Sequence, residues 1–334
     1  MKAKVICLRP KIDLDRAKVE LPESLAIEFF PQYEEDKVFK ALEDADFLLA
    51  SSHFPPIAAP LISRAKSLKL IQLCGAGYET VDLAAASRAG IPVARCADQN
   101  SQAVAQLAFT HMTILNRGIL EADGEIKKGR YQEVRAKLRK QGTYEMEGLC
   151  LGILGMGPIG KEMARIGAFF GAKLLYYDIV RLSAAKEKEM NLTFVEFPEL
   201  LRAADILTLH LPVNAQTKKI IGRQEIALMK DSAILVNTAR GALLDDEALV
   251  EALKANRLKG AALDAFDPEP LPPDHPFLTL EAEVQKKLLL TPHLGGTTRQ
   301  AQSRMYQEAV NNILTVTKGE TPQHVVNWEQ LGRT

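Results

Sequence analysis

The sequence has no net charge, few cysteines and no long hydrophobic run. Its 334 residues contain 42 Lys plus Arg and 42 Asp plus Glu, so the formal net charge is zero. A balanced surface offers no basic field to attract polyanions, which argues against nucleic acid or a membrane surface as partner. With 47% hydrophobic and 25% charged residues, the composition is typical of a globular chain with sizeable cores, and the length suggests about two domains.

Two uncharged stretches, 47–63 and 99–116, are too polar or too often interrupted by proline to cross a membrane. The apolar run at the N-terminus is too short for a signal-peptide core. No CxxC pair, HxxH or paired-Asp loop indicates a metal site. We therefore expect a cytoplasmic protein without a metal, whose widely spaced cysteines are reduced core residues: Cys7, Cys74, Cys96 and Cys150.

Short apolar runs alternate with segments of helical spacing along most of the chain. This alternation predicts βαβ units and parallel sheets. Predicted strands of the first series are 3–8, 25–30, 47–50, 68–74 and 92–94, with helices at 34–42, 58–66 and 83–89. Predicted strands of the second series are 149–154, 173–177, 206–209, 233–236, 260–263 and 287–290, and a helix is predicted at 298–318.

Between the two series, one long apolar helix is predicted from Ser101 to about Lys128. Such a helix is buried between layers or pairs with a partner subunit, and we expect a homodimer formed through this region. His111, on its apolar face, is interpreted as a core residue. No repeat, low-complexity run or Gly/Ser linker separates the two series, so the domain boundary is predicted near residue 100.

A GxGxxG motif follows the predicted strand 149–154 and opens a helix. Glycines at 155, 157 and 160 permit a tight turn, close approach of backbone N–H groups to a pyrophosphate, and close helix–strand packing. The helix N-terminus adds partial positive charge for the phosphates. A tight turn in an unrelated α/β protein or a methyltransferase loop is the alternative interpretation. The strand, the helix and Asp178 together favour a dinucleotide site.

Asp178 ends the next predicted strand, 173–177. A carboxylate there is placed to accept both adenosine ribose hydroxyls and to repel a 2′-phosphate, which favours NAD over NADP. Arg181 is the residue that could instead bind such a phosphate.

Three polar segments each follow a predicted strand of the second series: 237–241, 264–271 and 291–296. They contain Arg240, Glu269 and His293. The carboxyl ends of parallel strands share one edge, where ligands bind. We therefore expect these side chains to converge on the edge that carries Gly155.

This ordered set, together with residues 74–82, resembles the D-isomer-specific 2-hydroxyacid dehydrogenase family almost from end to end. The resemblance implies two Rossmann-like or flavodoxin-like α/β domains with parallel sheets and a cleft between them. Residues 1–100 and 297–334 would form the substrate domain, and 101–296 the NAD-binding Rossmann domain. The implied activity is NAD-dependent interconversion of a D-2-hydroxy acid and its 2-keto acid.

The family's roles carry over residue by residue. Arg240 resembles the arginine that holds the substrate carboxylate and polarises the keto oxygen. His293 resembles the acid/base, and Glu269 the carboxylate that orients this imidazole and raises its pKa. Asp264 resembles the acceptor for the nicotinamide carboxamide.

Further contacts are also implied. The substrate carboxylate is expected on the N–H groups of an anion-binding loop formed by Gly75, Ala76 and Gly77. His53 could contribute weakly to substrate binding. Cofactor contacts are expected at Gly155, Gly157, Pro158, Ile159, Gly160, Asp178, His210, Pro212, Thr217, Thr238, Ala239, Asp264, His293 and Gly295.

Two departures from the family pattern bear on the substrate and on the catalytic pair. The stretch 50–55 lacks the arginine with which phosphoglycerate dehydrogenases bind phosphate, so small acids such as glyoxylate, hydroxypyruvate or pyruvate are favoured and phosphoglycerate is the runner-up. The connection from Glu269 to His293 is longer than usual, which could displace Glu269. A dinucleotide-sensing corepressor and hydride transfer from an inorganic or one-carbon acid are the alternative functions.

Overall fold

The computed structural model describes residues 2–51 and 55–332. The chain divides into two compact units, one formed by residues 1–100 with 296–334 and the other by residues 101–295. Each unit is an α/β body built on one parallel sheet, as the alternation of apolar runs predicts. Among the described residues, no helix combines the length and the apolar character needed to span a bilayer.

Among its described residues, the first unit has a five-stranded sheet in the order β2-β1-β3-β4-β5. The strands are β1 (Ala3–Cys7), β2 (Leu25–Phe29), β3 (Phe47–Ala50), β4 (Leu70–Leu73) and β5 (Val93–Ala94). The helices are α1 (Lys11–Arg16), α2 (Glu35–Leu42), α3 (Ala59–Arg64), α4 (Leu83–Arg88) and a C-terminal helix, Arg299–Thr317, which packs on β4. Every residue of β3 and β4 is buried, as in a parallel sheet that is covered on both faces.

The second unit, all of whose residues are described, has a seven-stranded parallel sheet in the order β12-β11-β10-β9-β6-β7-β8. The strands are β6 (Cys150–Leu154), β7 (Lys173–Tyr177), β8 (Leu192–Phe194), β9 (Ile206–Leu209), β10 (Ile234–Asn237), β11 (Gly260–Leu263) and β12 (Leu288–Leu290). The helices are α5 (Ser101–Arg117), α6 (Ile119–Lys127), α7 (Tyr131–Gln141), α8 (Pro158–Phe169), α9 (Ala184–Met190), α10 (Phe197–Ala203), α11 (Arg223–Leu228), α12 (Asp246–Lys254) and α13 (Ala282–Gln285).

Every predicted strand is present, with bounds within two residues of the prediction at each end. The predicted helix from Ser101 to Lys128 is wrong as one continuous element. It breaks at Gly118, whose φ of +64° lies in the left-handed region. A Cβ at Gly118 would lie 2.7 Å from Cδ2 of Leu138, so the glycine leaves room for α7, which packs on α6.

Two elements of the second unit were not predicted. Helix α7 is mostly polar and shows no clear apolar stripe; Val134 is its buried residue, and Lys137 pairs with Glu121 of α6 at 2.5 Å. Strand β8 has only three residues and lies at the sheet edge, where neither length nor hydrophobicity marks it. All four cysteines are free thiols; Cys7, Cys96 and Cys150 are buried, as predicted, whereas Cys74 is only partly buried.

Candidate active site

The loop after β6 carries the three glycines of the motif. Gly155 has a φ of +97°, and a Cβ there would lie 2.7 Å from the carbonyl oxygen of His210. A Cβ at Gly160 would lie 2.1 Å from the Gly155 carbonyl oxygen. Because the turn from β6 into α8 is this tight, both positions require glycine.

Helix α8 begins at Pro158 with Gly157 as its N-cap residue. A Cβ at Gly157 would meet no atom of the described residues within 4 Å, and among those residues no side chain caps the helix. Pro158 at the first turn loses no hydrogen bond, and Ile159 turns a partly buried side chain to the unit. The open, positive helix end fits the pyrophosphate of a dinucleotide.

Two buried polar atoms at the carboxyl edge of this sheet have no hydrogen-bond partner among the described residues: Nδ1 of His210 and the hydroxyl oxygen of Thr238. His210 follows β9, and its Nε2 lies 3.0 Å from Oγ1 of Thr208. Part of the residue reaches the surface, yet burial of the ring lowers the pKa of His210 to about 3, so the imidazole is neutral. Unpartnered buried atoms at this edge also fit a polar ligand bound there.

Thr217 and Pro212, two further predicted contacts, are joined to each other. The Thr217 hydroxyl donates to the Pro212 carbonyl oxygen at 2.7 Å and accepts the Asn214 N–H at 2.8 Å. Thr217 therefore closes the turn after β9.

Asp178 follows β7, and its carboxylate faces the glycine loop. Oδ2 accepts the N–H of Met156 at 2.6 Å, and Oδ1 accepts the N–H of Val180 at 3.0 Å. These bonds hold a negative charge beside the turn that begins at Gly155. Each carboxylate oxygen keeps a second lone pair, which can accept a hydrogen bond from a ribose hydroxyl.

Arg181, the residue that could bind a 2′-phosphate, is paired with Glu187. Its Nε and Nη2 donate to the Glu187 carboxylate at 2.8 and 3.0 Å, and the guanidinium lies 5.0 Å from the ring centroid of Phe194. Arg181 and the Tyr176 hydroxyl hold the pKa of Glu187 down to about 2. The pair therefore stays ionised at neutral pH.

Arg240 lies just after β10, in a loop ordered by Asn237. The buried Asn237 amide donates to the Arg240 carbonyl oxygen at 2.8 Å and accepts the Ala239 N–H at 3.0 Å. Nη1 of Arg240 donates to the Ala239 carbonyl oxygen at 2.8 Å. A Cβ at Gly241 would lie 2.1 Å from the carbonyl carbon of Phe266, so this loop packs directly on the loop after β11.

His293 and Glu269 are in contact despite the long connection between them. Nδ1 of His293 lies 2.8 and 3.1 Å from the two carboxylate oxygens of Glu269. The His293 side chain is 22% exposed and that of Glu269 36%, so the pair is open to a ligand. His293 has a φ of +53°, a conformation that is rare outside glycine and that persists only where neighbouring contacts impose it.

Asp264, buried after β11, supplies those contacts. Its carboxylate accepts the Thr291 hydroxyl and the N–H groups of Leu294 and Gly295, the latter two at 2.8 Å. Asp264 thus fixes the turn that carries His293. The sequence did not predict these hydrogen bonds of Asp264. The polar residue Thr291, directly after a strand, was the feature that could have indicated them.

The predicted anion-binding loop belongs to the first unit, where it follows β4. The Gly75 carbonyl oxygen accepts the Cys96 N–H at 2.9 Å, and the Ala76 carbonyl oxygen accepts Nη1 of Arg95 at 2.8 Å. Arg95, which the sequence analysis missed, therefore fixes the loop that ends in the buried Gly77. His53 lies outside the described residues.

Comparison with known proteins agrees with this geometry. Residues 109–295 match the family model "D-isomer specific 2-hydroxyacid dehydrogenase, NAD binding domain". A glyoxylate reductase of Korarchaeum cryptofilum is 33% identical over 317 residues, covering 95% of this chain and 90% of that protein. A D-3-phosphoglycerate dehydrogenase of Methanocaldococcus jannaschii is 36% identical over 304 residues, covering 89% of this chain and 56% of that protein.

The solved structures include a similar fold in a glyoxylate reductase from Paecilomyes thermophila. It has a TM-score of 0.82 at 29% identity, covering 98% of this chain and 99% of that one. The family model spans more than half of this chain, and the first of these relatives is matched over nearly its whole length. The chain therefore belongs to the D-isomer-specific 2-hydroxyacid dehydrogenases, oxidoreductases that interconvert a D-2-hydroxy acid and its 2-keto acid with a nicotinamide dinucleotide.

Proposed function

We propose that this dehydrogenase uses NAD and acts on a small 2-keto acid, such as glyoxylate, hydroxypyruvate or pyruvate. The observation that carries the proposal is the 2.8 Å contact between Nδ1 of His293 and Glu269 at the edge that also holds Arg240. An imidazole oriented by a carboxylate can deliver a proton to a keto oxygen, and a guanidinium can hold the adjacent carboxylate.

The proton is handled by the two sides of one imidazole. Glu269 accepts the Nδ1–H, which leaves Nε2 of His293 to face the keto oxygen and give it a proton. Arg240 binds the substrate carboxylate and polarises the carbonyl. The nicotinamide, when bound, supplies the hydride in reduction and accepts it in oxidation.

The remaining predicted sites take supporting roles in this proposal. Residues 101–296 bind the dinucleotide, and residues 1–100 with 297–334 bind the acid. Gly75, Ala76 and Gly77 offer N–H groups to the substrate carboxylate. Asp264 accepts the nicotinamide carboxamide in addition to the three donors that it already holds.

The preference for NAD rests on two side chains. Asp178 puts negative charge beside the glycine loop, where it would bind ribose hydroxyls and repel a 2′-phosphate. Arg181, the available counter-charge, is already engaged by Glu187 through two hydrogen bonds. Glu187 therefore neutralises the positive charge that a 2′-phosphate would meet there.

The preference for a small acid rests on the stretch 50–55, which has no arginine to pair with a phosphate. Two relatives described above are named glyoxylate reductases, which agrees with a small substrate. The relative named D-3-phosphoglycerate dehydrogenase makes phosphohydroxypyruvate the runner-up.

A homodimer is also proposed, formed through the region from Ser101 to Lys128. Large apolar side chains are exposed there and on the neighbouring end of α8: Phe169 is 84% exposed and Ile119 48%. Phe170 stacks on Phe109 of α5 at a centroid distance of 4.7 Å, which makes these groups one surface. Exposed apolar patches of this kind mark protein–protein contacts.

The test follows NADH absorbance with purified protein and a panel of 2-keto acids: glyoxylate, hydroxypyruvate, pyruvate, a branched-chain keto acid and phosphohydroxypyruvate. We expect oxidation of NADH with the highest kcat/KM for one of the first three. A strong preference for phosphohydroxypyruvate would contradict the substrate proposal. Tight NADH binding with no turnover of any acid would instead favour a dinucleotide sensor.

A further inference from the structure

Behind the turn that carries His293 lies a buried chain of hydrogen bonds. His111, on α5, is 1% exposed, and its Nε2 lies 3.3 Å from Oγ1 of Thr291. The Thr291 hydroxyl donates in turn to Oδ1 of Asp264, the carboxylate that accepts the N–H groups of Leu294 and Gly295.

The direction of each bond follows from the number of hydrogens. A threonine hydroxyl has one hydrogen, and Thr291 gives it to Asp264. Towards His111 it can therefore only accept, so Nε2 of His111 carries the hydrogen. Burial lowers the pKa of His111 and keeps the imidazole neutral, which leaves Nδ1 as a bare acceptor.

A histidine at this position is costly for stability. Nδ1 of His111 is buried and has no hydrogen-bond partner among the described residues. Two neighbours of His111 on α5, Ala108 and Met112, are fully buried apolar side chains. An apolar residue at 111 would avoid the unpartnered nitrogen, so the histidine contributes something other than packing.

That contribution is the orientation of Thr291. The Thr291 hydroxyl donates to Asp264 on one side and accepts from Nε2 of His111 on the other, so the two contacts together hold its orientation. Asp264 then holds the two N–H groups that follow His293, whose φ of +53° depends on such contacts.

We propose that His111 is a positioning residue, acting through Thr291 and Asp264 to hold His293 where it transfers the proton. The inference rests on the proposed acid/base role of His293. His111 itself touches no substrate, and its effect is on the rate of proton transfer rather than on binding.

The test compares His111→Met, which fills the space without a donor, with His111→Gln, which can donate to Thr291. We expect kcat to fall about tenfold in His111→Met, with the keto-acid KM and the NADH Kd within about twofold of wild type. His111→Gln should recover most of kcat. Thr113→Val, on the same helix, is the control, because among the described residues that hydroxyl bonds to carbonyls of its own helix alone.

A double-mutant cycle tests the chain itself. If His111 acts through Thr291, the variant that combines His111→Met with Thr291→Val loses no more kcat than Thr291→Val alone. Fully additive losses would overturn the proposal. A lower melting temperature with unchanged kcat in His111→Met would also overturn it, since the role would then be structural.

The His293→Gln background separates this inference from the proposed function. We expect His111→Met to have no further effect on kcat there. Full activity of His293→Gln alone would remove the acid/base role and the inference with it. An inactive His293→Gln together with a fully active His111→Met would overturn the positioning role and leave the proposed function intact.

Discussion

The two units present different chemistry at the carboxyl ends of their strands. In the first, the loop after β4 contains Gly75, Ala76 and Gly77, whose side chains carry no functional group. The carbonyl oxygens of Gly75 and Ala76 are held by hydrogen bonds from the protein. In the second, the loops after neighbouring strands carry ionisable groups such as Glu269 and His293, which are in contact.

This difference shows that the sheet architecture alone does not determine the chemistry at the carboxyl ends of the strands. Both sheets are parallel, and both place their loops at the same kind of edge. A loop of backbone N–H groups can bind an anion but cannot exchange a proton, whereas an imidazole paired with a carboxylate can. The first edge is therefore expected to control substrate binding, and the second to control the chemical step.

The largest effect on activity is expected when the second unit loses its proposed proton donor, His293. His293→Gln should lower kcat by roughly 10²- to 10⁴-fold, because general acid catalysis is lost, while NADH binding is kept. The pH profile of the reduction rate should be flatter in the variant than in the wild type, because the group that gives the proton to the keto oxygen is gone. Stopped-flow NADH oxidation and fluorescence titration measure the two quantities.

His324→Gln is the matched control, since His324 belongs to the first unit and pairs with Glu308 at 3.6 Å. Equal losses of kcat in His293→Gln and His324→Gln would contradict the assignment of the chemical step to the second unit. An unchanged pH profile in His293→Gln would remove His293 from its role.

The next effect concerns the cofactor at the second edge. Asp178→Asn keeps an oxygen that can accept the Met156 N–H but removes the charge. The ratio of kcat/KM for NADH to that for NADPH should fall about ten- to a hundredfold, because the repulsion of a 2′-phosphate is gone. Glu189→Gln, an exposed change in the same unit, should leave the ratio unaltered. A constant ratio in Asp178→Asn would contradict the proposed discrimination.

A smaller effect, on the KM for the keto acid, is expected from a change beside the loop at 75–77 in the first unit. Arg95→Met removes the hydrogen bond to the Ala76 carbonyl oxygen while keeping an unbranched apolar stem. The KM for the keto acid should rise about fivefold, as expected for one hydrogen bond, with the NADH Kd unchanged. Arg16→Met, at an exposed position of the same unit, is the control. A fall in kcat without a change in KM would reverse the assignment of roles to the two edges.

The smallest effect is on stability in acid. The folded-state pKa of His210 is lowered to about 3, so between pH 6.5 and 3 the unfolded chain binds a proton there that the folded chain does not. Stability is therefore lost as pH falls through this window. Urea unfolding measures the free energy of unfolding. Between pH 7 and 5.5, the wild type should lose about 1 kcal/mol more of this free energy than His210→Asn. Equal losses of unfolding free energy in the two proteins would show that a group other than His210 causes the acid sensitivity.

Local sequence patterns determined most of the architecture. Apolar runs and their spacing located every predicted strand within two residues, because buried parallel strands are continuously hydrophobic. The GxGxxG motif and the polar residues after successive strands indicated one functional edge, because chain direction in a parallel sheet brings those ends together. The type of residue at Arg240 and His293 limited the chemistry available there.

Tertiary structure alone decided which partners these residues meet. Only the folded chain shows that Glu269 still reaches His293 across a long connection and that Asp264 clamps the turn. The contact between Gly118 and Leu138 of another helix is likewise visible only in the folded chain. These contacts join residues far apart in the chain, and a local pattern of hydrophobicity or charge carries no information about which distant side chain will fill the facing position.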